Sequence, residues 1–377
     1  MSLQKIIKKI WYPDDDGPVT KSAGLLFPLA LFYRGAIRIR NRAYDRGLLT
    51  TCRLPCPVIS VGNITVGGTG KTPMVIMLAD MLAARGRRPA ILSRGYGGAS
   101  RFPVNIVSDG KSLLMQPQAV GDEPVLMARK LPGIPVLTGP KRYLTGKAAI
   151  DQFGVDVLIL DDAYQHRQIQ RDVNILLLDG HNPIGNGFTL PAGPLREPVS
   201  AMARADVIVI TGVRDGLSVT GKNVQSDLEN IVPKNIPVFL GQHRPRDLIQ
   251  GGSKSGIFPL DKIRGKRICA FAGIGSPEAF RKTLVASGAH ITSFLAFDDH
   301  HRYTERDICD INGAVQRGQA DLMITTEKDG VKLDGFPDFM RQVFLLRIAM
   351  EIHQGQDDFT ALILAGLESW KKQRPPR

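Results

Sequence analysis

The segment "TVGGTGKT", Thr65-Val66-Gly67-Gly68-Thr69-Gly70-Lys71-Thr72, puts a lysine and a hydroxyl directly behind a glycine-rich run. Gly67 and Gly68 let successive backbone N–H groups curl round an anion. A helix starting near Lys71 turns the positive end of its dipole toward the same point. In a GxxxxGK[ST] loop the lysine reaches the β- and γ-phosphates of a nucleotide, and the Ser/Thr hydroxyl meets Mg²⁺. Lys71 and Thr72 take those places here, while Thr65 stands where the first glycine is usual. The strand-like "PVISVGN" before the loop and the helical pattern after it distinguish it from a plain glycine turn.

Three acidic clusters offer further chemistry. Asp161 and Asp162 follow four apolar residues in "VDVLILDD". That is where a carboxylate holds Mg²⁺, directly or through water, beside a phosphate loop. Asp122 and Glu123 lie in "GDEP". One reading is helix-start chemistry, with Asp122 as N-cap and Pro124 in the first turn. The other is a general base that takes the proton of an acceptor hydroxyl. "FDDHHRY", Phe297 to Tyr303, reads equally as a capped solvated loop, a metal cluster, or a histidine tuning a neighbouring carboxylate.

Positioning such residues requires a scaffold, and the apolar pattern supplies one. From Pro57 onward, runs such as "PVISVGN", "RPAILSRG", "VDVLILDD", "VNILLLD" and "DVIVIT" alternate with helical stretches. The runs are continuous in Val, Ile and Leu rather than alternating, the pattern of parallel strands covered on both faces. A polar segment beginning at Gly212 marks a boundary, and a second alternating series follows through "KRICAFAGIG", "HITSFLAF", "DLMITT" and "VFLLRIAM". "KKQRPPR" reads as a frayed tail. The expectation is an α/β chain in three parts: an N-terminal segment at 1–55, a parallel-sheet core of the P-loop NTPase type at 56–215, and a smaller α/β lobe at 216–377. A cleft between two such lobes is where ligands prefer to bind.

The chain has 377 residues, 43% hydrophobic and 23% charged, which excludes wholesale disorder. Its net charge of +13 points to an anionic partner. Ten Lys/Arg against four Asp fall in the stretch ending at Arg53. There "KSAGLLFPLALFYRGAIRIRNR" joins an apolar run to arginines, with Leu25, Leu29, Phe32 and Ala36 on one helical face and Arg34, Arg38 and Arg42 following. The apolar run is too short to span a bilayer. It fits a helix lying on an anionic membrane surface, and equally one packed on the protein's own core. Cys52, Cys56, Cys269 and Cys309 form no metal-ligand spacing and read as structural thiols of a reduced compartment. No aromatic-and-basic stretch supports nucleic-acid binding, and no protein partner is evident.

In order along the chain, "GNITVGGTGKTP", "LSRGYGG", "GDEP", "DDAYQH", "LPAGPLREP", "FAGIG", "FDDHHRY" and "TTEKDGVKL" resemble the tetraacyldisaccharide 4'-kinase family of lipid A biosynthesis. The resemblance implies transfer of the γ-phosphate of ATP, with Mg²⁺, to the 4'-hydroxyl of an acylated glucosamine disaccharide 1-phosphate. It implies nucleotide contacts from Thr65 to Thr72, with Thr72, Asp161, Asp162 and Glu123 serving the metal and the aligned phosphates. Asp122 resembles the general base, paired with His300, and His301 is the alternative. Lys71 and Arg142 match positions that act on the transferred phosphate. Arg94, Tyr96, Gln165, His166, Arg196 and Glu197 match other polar positions of the active-site cleft. With Asp122 assigned to one lobe and His300 to the other, catalysis would depend on lobe closure. The resemblance also gives the N-terminal helix a purpose, peripheral attachment at the cytoplasmic face of the bacterial inner membrane.

Two departures stand out. Ala163 and Tyr164 replace the family's usual Gly and Phe, which bears on the turn after Asp162, and "TGPKR" differs in wording around Arg142. The competing reading is a membrane-associated P-loop switch ATPase, but Val66 stands where the signature lysine of that class belongs.

Overall fold

In a computed structural model of the protein, the structure describes residues 10–12, 21–212, 231–252 and 256–372. The boundary expected at 215/216 and the tail past Lys372 lie outside the described residues. The strands in chain order are β1 (Val58–Asn63), β2 (Pro89–Ser93), β3 (Asn105–Ser108), β4 (Val136–Thr138), β5 (Val157–Leu160), β6 (Val173–Asp179) and β7 (Val207–Thr211). Then come β8 (Val238–Gln250), β9 (Ile257–Pro259), β10 (Arg267–Ala272), β11 (His290–Ala296), β12 (Leu322–Thr326) and β13 (Val343–Ile352).

The chain divides into two compact units. One comprises residues 1–94, 137–242 and 350–377; the other comprises 95–136 and 243–349. This differs from the division expected from sequence. Residues 95–136, which carry "GDEP", belong with the later series of strands rather than with the phosphate loop. Sequence order alone gives no sign of this, because a chain can leave a unit and return to it between any two elements.

In the first unit the strand order runs β8-β7-β6-β1-β5-β2-β4. The pairings of β1 with β5 and β6, of β2 with β5, and of β7 with β6 and β8 are parallel. Every residue of β1, β2, β5 and β7 is buried, as continuous apolar runs require. The helix Lys71–Ala83 buries Met74, Val75, Leu78, Ala79, Met81 and Leu82. Ile64, Tyr164, Leu176, Leu178, Met202 and Ile208 share a core cluster.

The helix Lys21–Asp45 belongs to this unit. Ala30 is buried, Phe27 stands edge-on to Phe188, and the Tyr33 hydroxyl donates to the Arg196 carbonyl at 2.9 Å. The expected stripe does not pack inward: Leu25 is 83% exposed and Phe32 79% exposed. Among the described residues, no helix is long and apolar enough to cross a membrane.

In the second unit the order runs β11-β10-β12-β13-β8, with β9 antiparallel on β8. The links of β10 to β11 and β12, and of β12 to β13, are parallel. Because side chains alternate across a strand, Ile268, Ala270 and Ala272 join one core cluster, with Phe280, Leu284 and Ile324. Phe271 enters another, with Tyr303, Ile308 and Phe339.

Candidate active site

In the first unit the glycine loop leaves the C-terminal end of β1, which lies between β5 and β6. Ser60 pairs with Leu160, so Asp161 and Asp162 emerge from the adjacent strand at the same end. Open parallel sheets bind ligands at such carboxyl ends. Gly70 has a left-handed backbone, φ 81°, which starts the helix at Lys71 without strain that another residue would carry. The Val66 N–H is taken by the Pro194 carbonyl at 2.8 Å, and Thr65 bridges Leu195. Of the stretch expected to meet phosphate, Thr65 to Thr72, the first two residues thus have backbone partners inside the fold. Lys71 Nζ lies 3.8 Å from Asp162 Oδ1 and donates to the Gly67 carbonyl at 3.5 Å.

Asp162 receives two hydrogen bonds from Arg196 Nη1, at 2.9 and 3.0 Å. Burial opposes its ionisation, but Lys71, Arg196 and Arg142 outweigh that and hold its carboxyl below the usual range. The positive φ in this turn, 47°, falls on Asp162 itself rather than on Ala163. Aspartate tolerates that conformation better than most residues, so alanine at 163 is accommodated. Asp161 is buried and accepts a hydrogen bond from Ser93 Oγ at 3.0 Å.

The other sequence candidates of this unit take different roles. Arg142 is 3% exposed and donates to the Gly139 carbonyl at 2.8 Å. Burial, against the pull of Asp161 and Asp162, lowers its pKa to about 10, so it remains a cation at neutral pH. His166 is held neutral: burial first, then the cations Arg142, Arg171 and Arg94, push its pKa down to about 4. Gln165 is used by the fold, donating to the Asn63 carbonyl at 2.8 Å, and Arg94 is exposed at the end of β2. Glu197 departs from expectation. It is fully buried, bonded by Arg204 at 2.7 Å and Asn41 at 2.9 Å, with Arg40 at 3.7 Å. Those partners make it an internal counter-ion of the fold rather than a group presented to substrate.

The second unit holds the other half of the candidates. Gly121 has φ 91°, and a Cβ there would stand 2.3 Å from the Tyr96 carbonyl oxygen, so only glycine fits. The helix Asp122–Lys130 therefore begins with Gly121 at its cap, and no side chain caps it. Asp122 is not the N-cap that the helix-start reading requires. Its Oδ2 lies 3.2 Å from His300 Nδ1. The two belong to one compact unit, which removes the basis for expecting them on separate lobes. His300 adopts φ 59°, and its N–H is bonded by Asp299 Oδ1 at 3.0 Å. His301 is turned elsewhere: its Nε2 meets Asp307 Oδ2 at 3.1 Å, and its ring stacks on Phe297.

Glu123, expected to serve the metal, accepts a hydrogen bond from Lys328 Nζ at 3.0 Å. The same ammonium reaches Asp299 Oδ1 at 3.4 Å. Burial alone would lower the pKa of Lys328; Glu123, Asp299 and Asp122 outweigh it and raise the value. A cavity of about 380 Å³ opens beside the Asp122–His300 pair, lined by Tyr96, Gln118, Asp122, His300, Arg302 and Lys332. Sequence reasoning passed over Lys328, Arg302 and Lys332. The one available signal was their place inside "FDDHHRY" and "TTEKDGVKL".

A parallel sheet with a lysine-bearing glycine loop and paired carboxylates at its carboxyl ends defines a P-loop α/β protein built to handle phosphate. The family described as LpxK, tetraacyldisaccharide-1-P 4'-kinase, matches residues 22–368. A tetraacyldisaccharide 4'-kinase from Syntrophus aciditrophicus is 49% identical, covering 97% of this chain and 98% of the relative. One from Geobacter sulfurreducens is 43% identical over 88% of this chain and 91% of its own length. A crystal structure of LpxK from Aquifex aeolicus in complex with ATP matches with a TM-score of 0.74 at 33% identity, over 92% of this chain and 99% of that one. The chain belongs to the tetraacyldisaccharide-1-P 4'-kinase family.

Proposed function

We propose that the protein transfers the γ-phosphate of ATP to the 4'-hydroxyl of a tetraacylated glucosamine disaccharide 1-phosphate, with Asp122 accepting the hydroxyl proton. Family membership carries the reaction, and the 3.2 Å contact of Asp122 with His300 at the edge of a polar cavity carries the assignment of the base. Phosphoryl transfer asks the protein mainly for alignment and charge neutralisation. The loop N–H groups from Gly67 onward and Lys71 hold the phosphates, and the Arg196 and Arg142 cations offset the negative charge around Asp161 and Asp162. His300 orients the Asp122 carboxylate toward the cavity, where Tyr96 offers a ring face to a sugar.

Thr72, Asp161 and Asp162 are hard oxygen donors, the chemistry Mg²⁺ prefers. Among the described residues, no cluster of three or more acidic, histidine or cysteine ligands forms a complete metal cage. That suits an ion held by one or two carboxylates and completed by substrate phosphates. Mg²⁺ bound there supplies charge neutralisation on the transferred phosphoryl group. Glu123 is left out of this set because Lys328 occupies it. The exposed Leu25, Leu29 and Phe32, with Arg34, Arg38 and Arg42 on the same helix, support peripheral docking on an anionic surface, assigned to the cytoplasmic face of the inner membrane where the acylated acceptor resides.

The test is transfer of labelled γ-phosphate from ATP to the acylated disaccharide 1-phosphate in detergent micelles, with Asp122→Ala alongside. Label on the lipid, lost in the variant while ATP binding persists, is the expected result. Label on the lipid in both proteins would remove Asp122 as base; no labelled lipid from a folded, ATP-binding protein would overturn the kinase assignment.

A further inference from the structure

Lys328 is the first-turn residue of the short helix Glu327–Lys332, where the backbone dipole disfavours a cation. Its side chain is 19% exposed, and burial is a second cost for a charged amine. Two carboxylates offset both, Glu123 at 3.0 Å and Asp299 at 3.4 Å. Glu123 follows Asp122 in sequence, and Asp299 precedes His300. One ammonium thus joins the two segments that carry the pair proposed above to receive the proton.

The other contacts on the pair are local: the His300 N–H donates to Asp299 Oδ1 at 3.0 Å, and its ring lies 6.0 Å from that of Tyr96. Asp122 is the first residue of its helix, directly after the cap Gly121, and His300 stands on a loop with a left-handed backbone. His300 Nε2 is 4.0 Å from Asp299 Oδ2, so a shift of Asp299 would move the ring's surroundings as well. A second ion pair joins the same two helices, Lys130 to Glu327 at 2.7 Å. Lys130 also donates to the Ile348 carbonyl at 3.1 Å, so its contacts run away from the Asp299–His300 loop. One pair is placed to hold the helices, the other to hold the reacting corner.

We propose that Lys328 is a positioning residue for the phosphoryl acceptor site: by bridging Glu123 and Asp299 it fixes the segment bearing Asp122 against the loop bearing His300. The inference rests on the reading of Asp122 and His300 as the proton-accepting pair. A group that acts by holding two others in register matters only while both are present.

That property gives the experiment. Lys328→Met is made in the wild-type chain and in His300→Ala, and kcat, KM for ATP and melting temperature are measured on each, with Lys130→Met as the control for helix docking. In the wild-type chain Lys328→Met lowers kcat on the order of 10²-fold with KM for ATP within about twofold, the scale expected for a small misplacement of reacting groups. In His300→Ala the same substitution lowers kcat less than about threefold further, the mark of two changes acting on one unit. Lys130→Met lowers the melting temperature and leaves kcat within about threefold, as a pair remote from the reacting atoms should.

An equal loss in both backgrounds, or no loss in the wild-type chain, overturns the positioning role. Unchanged kcat in His300→Ala alone overturns the underlying reading of the pair instead. If Lys328→Met does not fold, Lys328→Gln, which keeps reach and a donor while removing the charge, carries the same comparison, and the same outcomes support or overturn the role.

Discussion

At the end of β5, Asp162 takes two hydrogen bonds from Arg196 and lies 3.8 Å from Lys71, whereas Asp122 in the other unit meets one imidazole at 3.2 Å. The two carboxylates are held by opposite means. Asp162 has fixed cations that depress its pKa and keep it charged, which suits a group whose task is to stay anionic near a metal and phosphates. Asp122 has a partly exposed histidine and a cavity beside it, which fits the role proposed for it, exchange of a proton with an incoming hydroxyl. On the proposed reading, the phosphate-handling corner is organised by permanent charge, and the acceptor corner by the placement of Asp122 against His300.

Substitutions that treat the two corners alike should separate them. Asp122→Asn should lower kcat by about 10³-fold, in the range for loss of a general base, and leave KM for ATP nearly unchanged. Lys71→Ala should lower kcat/KM for ATP by roughly 10²-fold through lost phosphate contacts, and weaken ATP binding measured directly. Equal effects of the two on ATP binding would erase the division of labour between the corners.

A second contrast lies within the first unit, between charges that meet phosphate and charges that hold the fold. Glu197→Ala leaves Arg204 and Arg40 without their buried counter-ion and should cost about 3 kcal/mol in denaturant unfolding, the scale for breaking a buried pair. Retention of full stability would return Glu197 to the substrate-contact role expected from its motif. His166 sharpens the same contrast through pH. Its folded pKa of about 4 lies below the ordinary 6.5, so as pH falls the unfolded chain takes up the proton first. The stability due to the neutral ring is whole above pH 6.5 and is lost as pH falls toward 4, by at most about 1.4 kcal/mol per pH unit. His166→Gln should flatten that part of the curve, and an imidazole resonance that titrates near 6.5 in the folded protein would refute the shift.

The smallest effect concerns the helix Lys21–Asp45. Arg38→Gln should reduce partition onto anionic vesicles by about fivefold, the share of one basic residue near the surface. It should leave turnover of acceptor presented in detergent as it was.

The phosphate corner was legible because its parts are local. Gly70, Lys71 and Thr72 follow one strand, and Asp161 and Asp162 end another; parallel pairing of all-apolar strands brings such ends together. The acceptor corner was legible only as motifs. "GDEP" was open between an N-cap and a base, and "DDHH" between a capped loop, a metal cluster and a catalytic histidine. Gly121 decided the first by taking the cap position itself, under the Tyr96 carbonyl. Asp307 decided the choice of histidine nearest Asp122 by occupying His301. Glu123 and Glu197 were read by their place in motifs, which records residue type and not which cation reaches them. Lys328 stayed unnoticed for the same reason: its partners lie 205 and 29 residues away.

By itself the sequence determined the parallel α/β architecture, the phosphate loop and the family, because apolar periodicity, glycine conformational freedom and short motifs act over a few residues. Only the tertiary structure decided that residues 95–136 fold with 243–349, that Asp122 meets His300 rather than His301, and that Glu123 meets Lys328. Those outcomes depend on which distant charges the packed chain brings within 3–4 Å, and electrostatic partners at that range leave no period or spacing in the sequence.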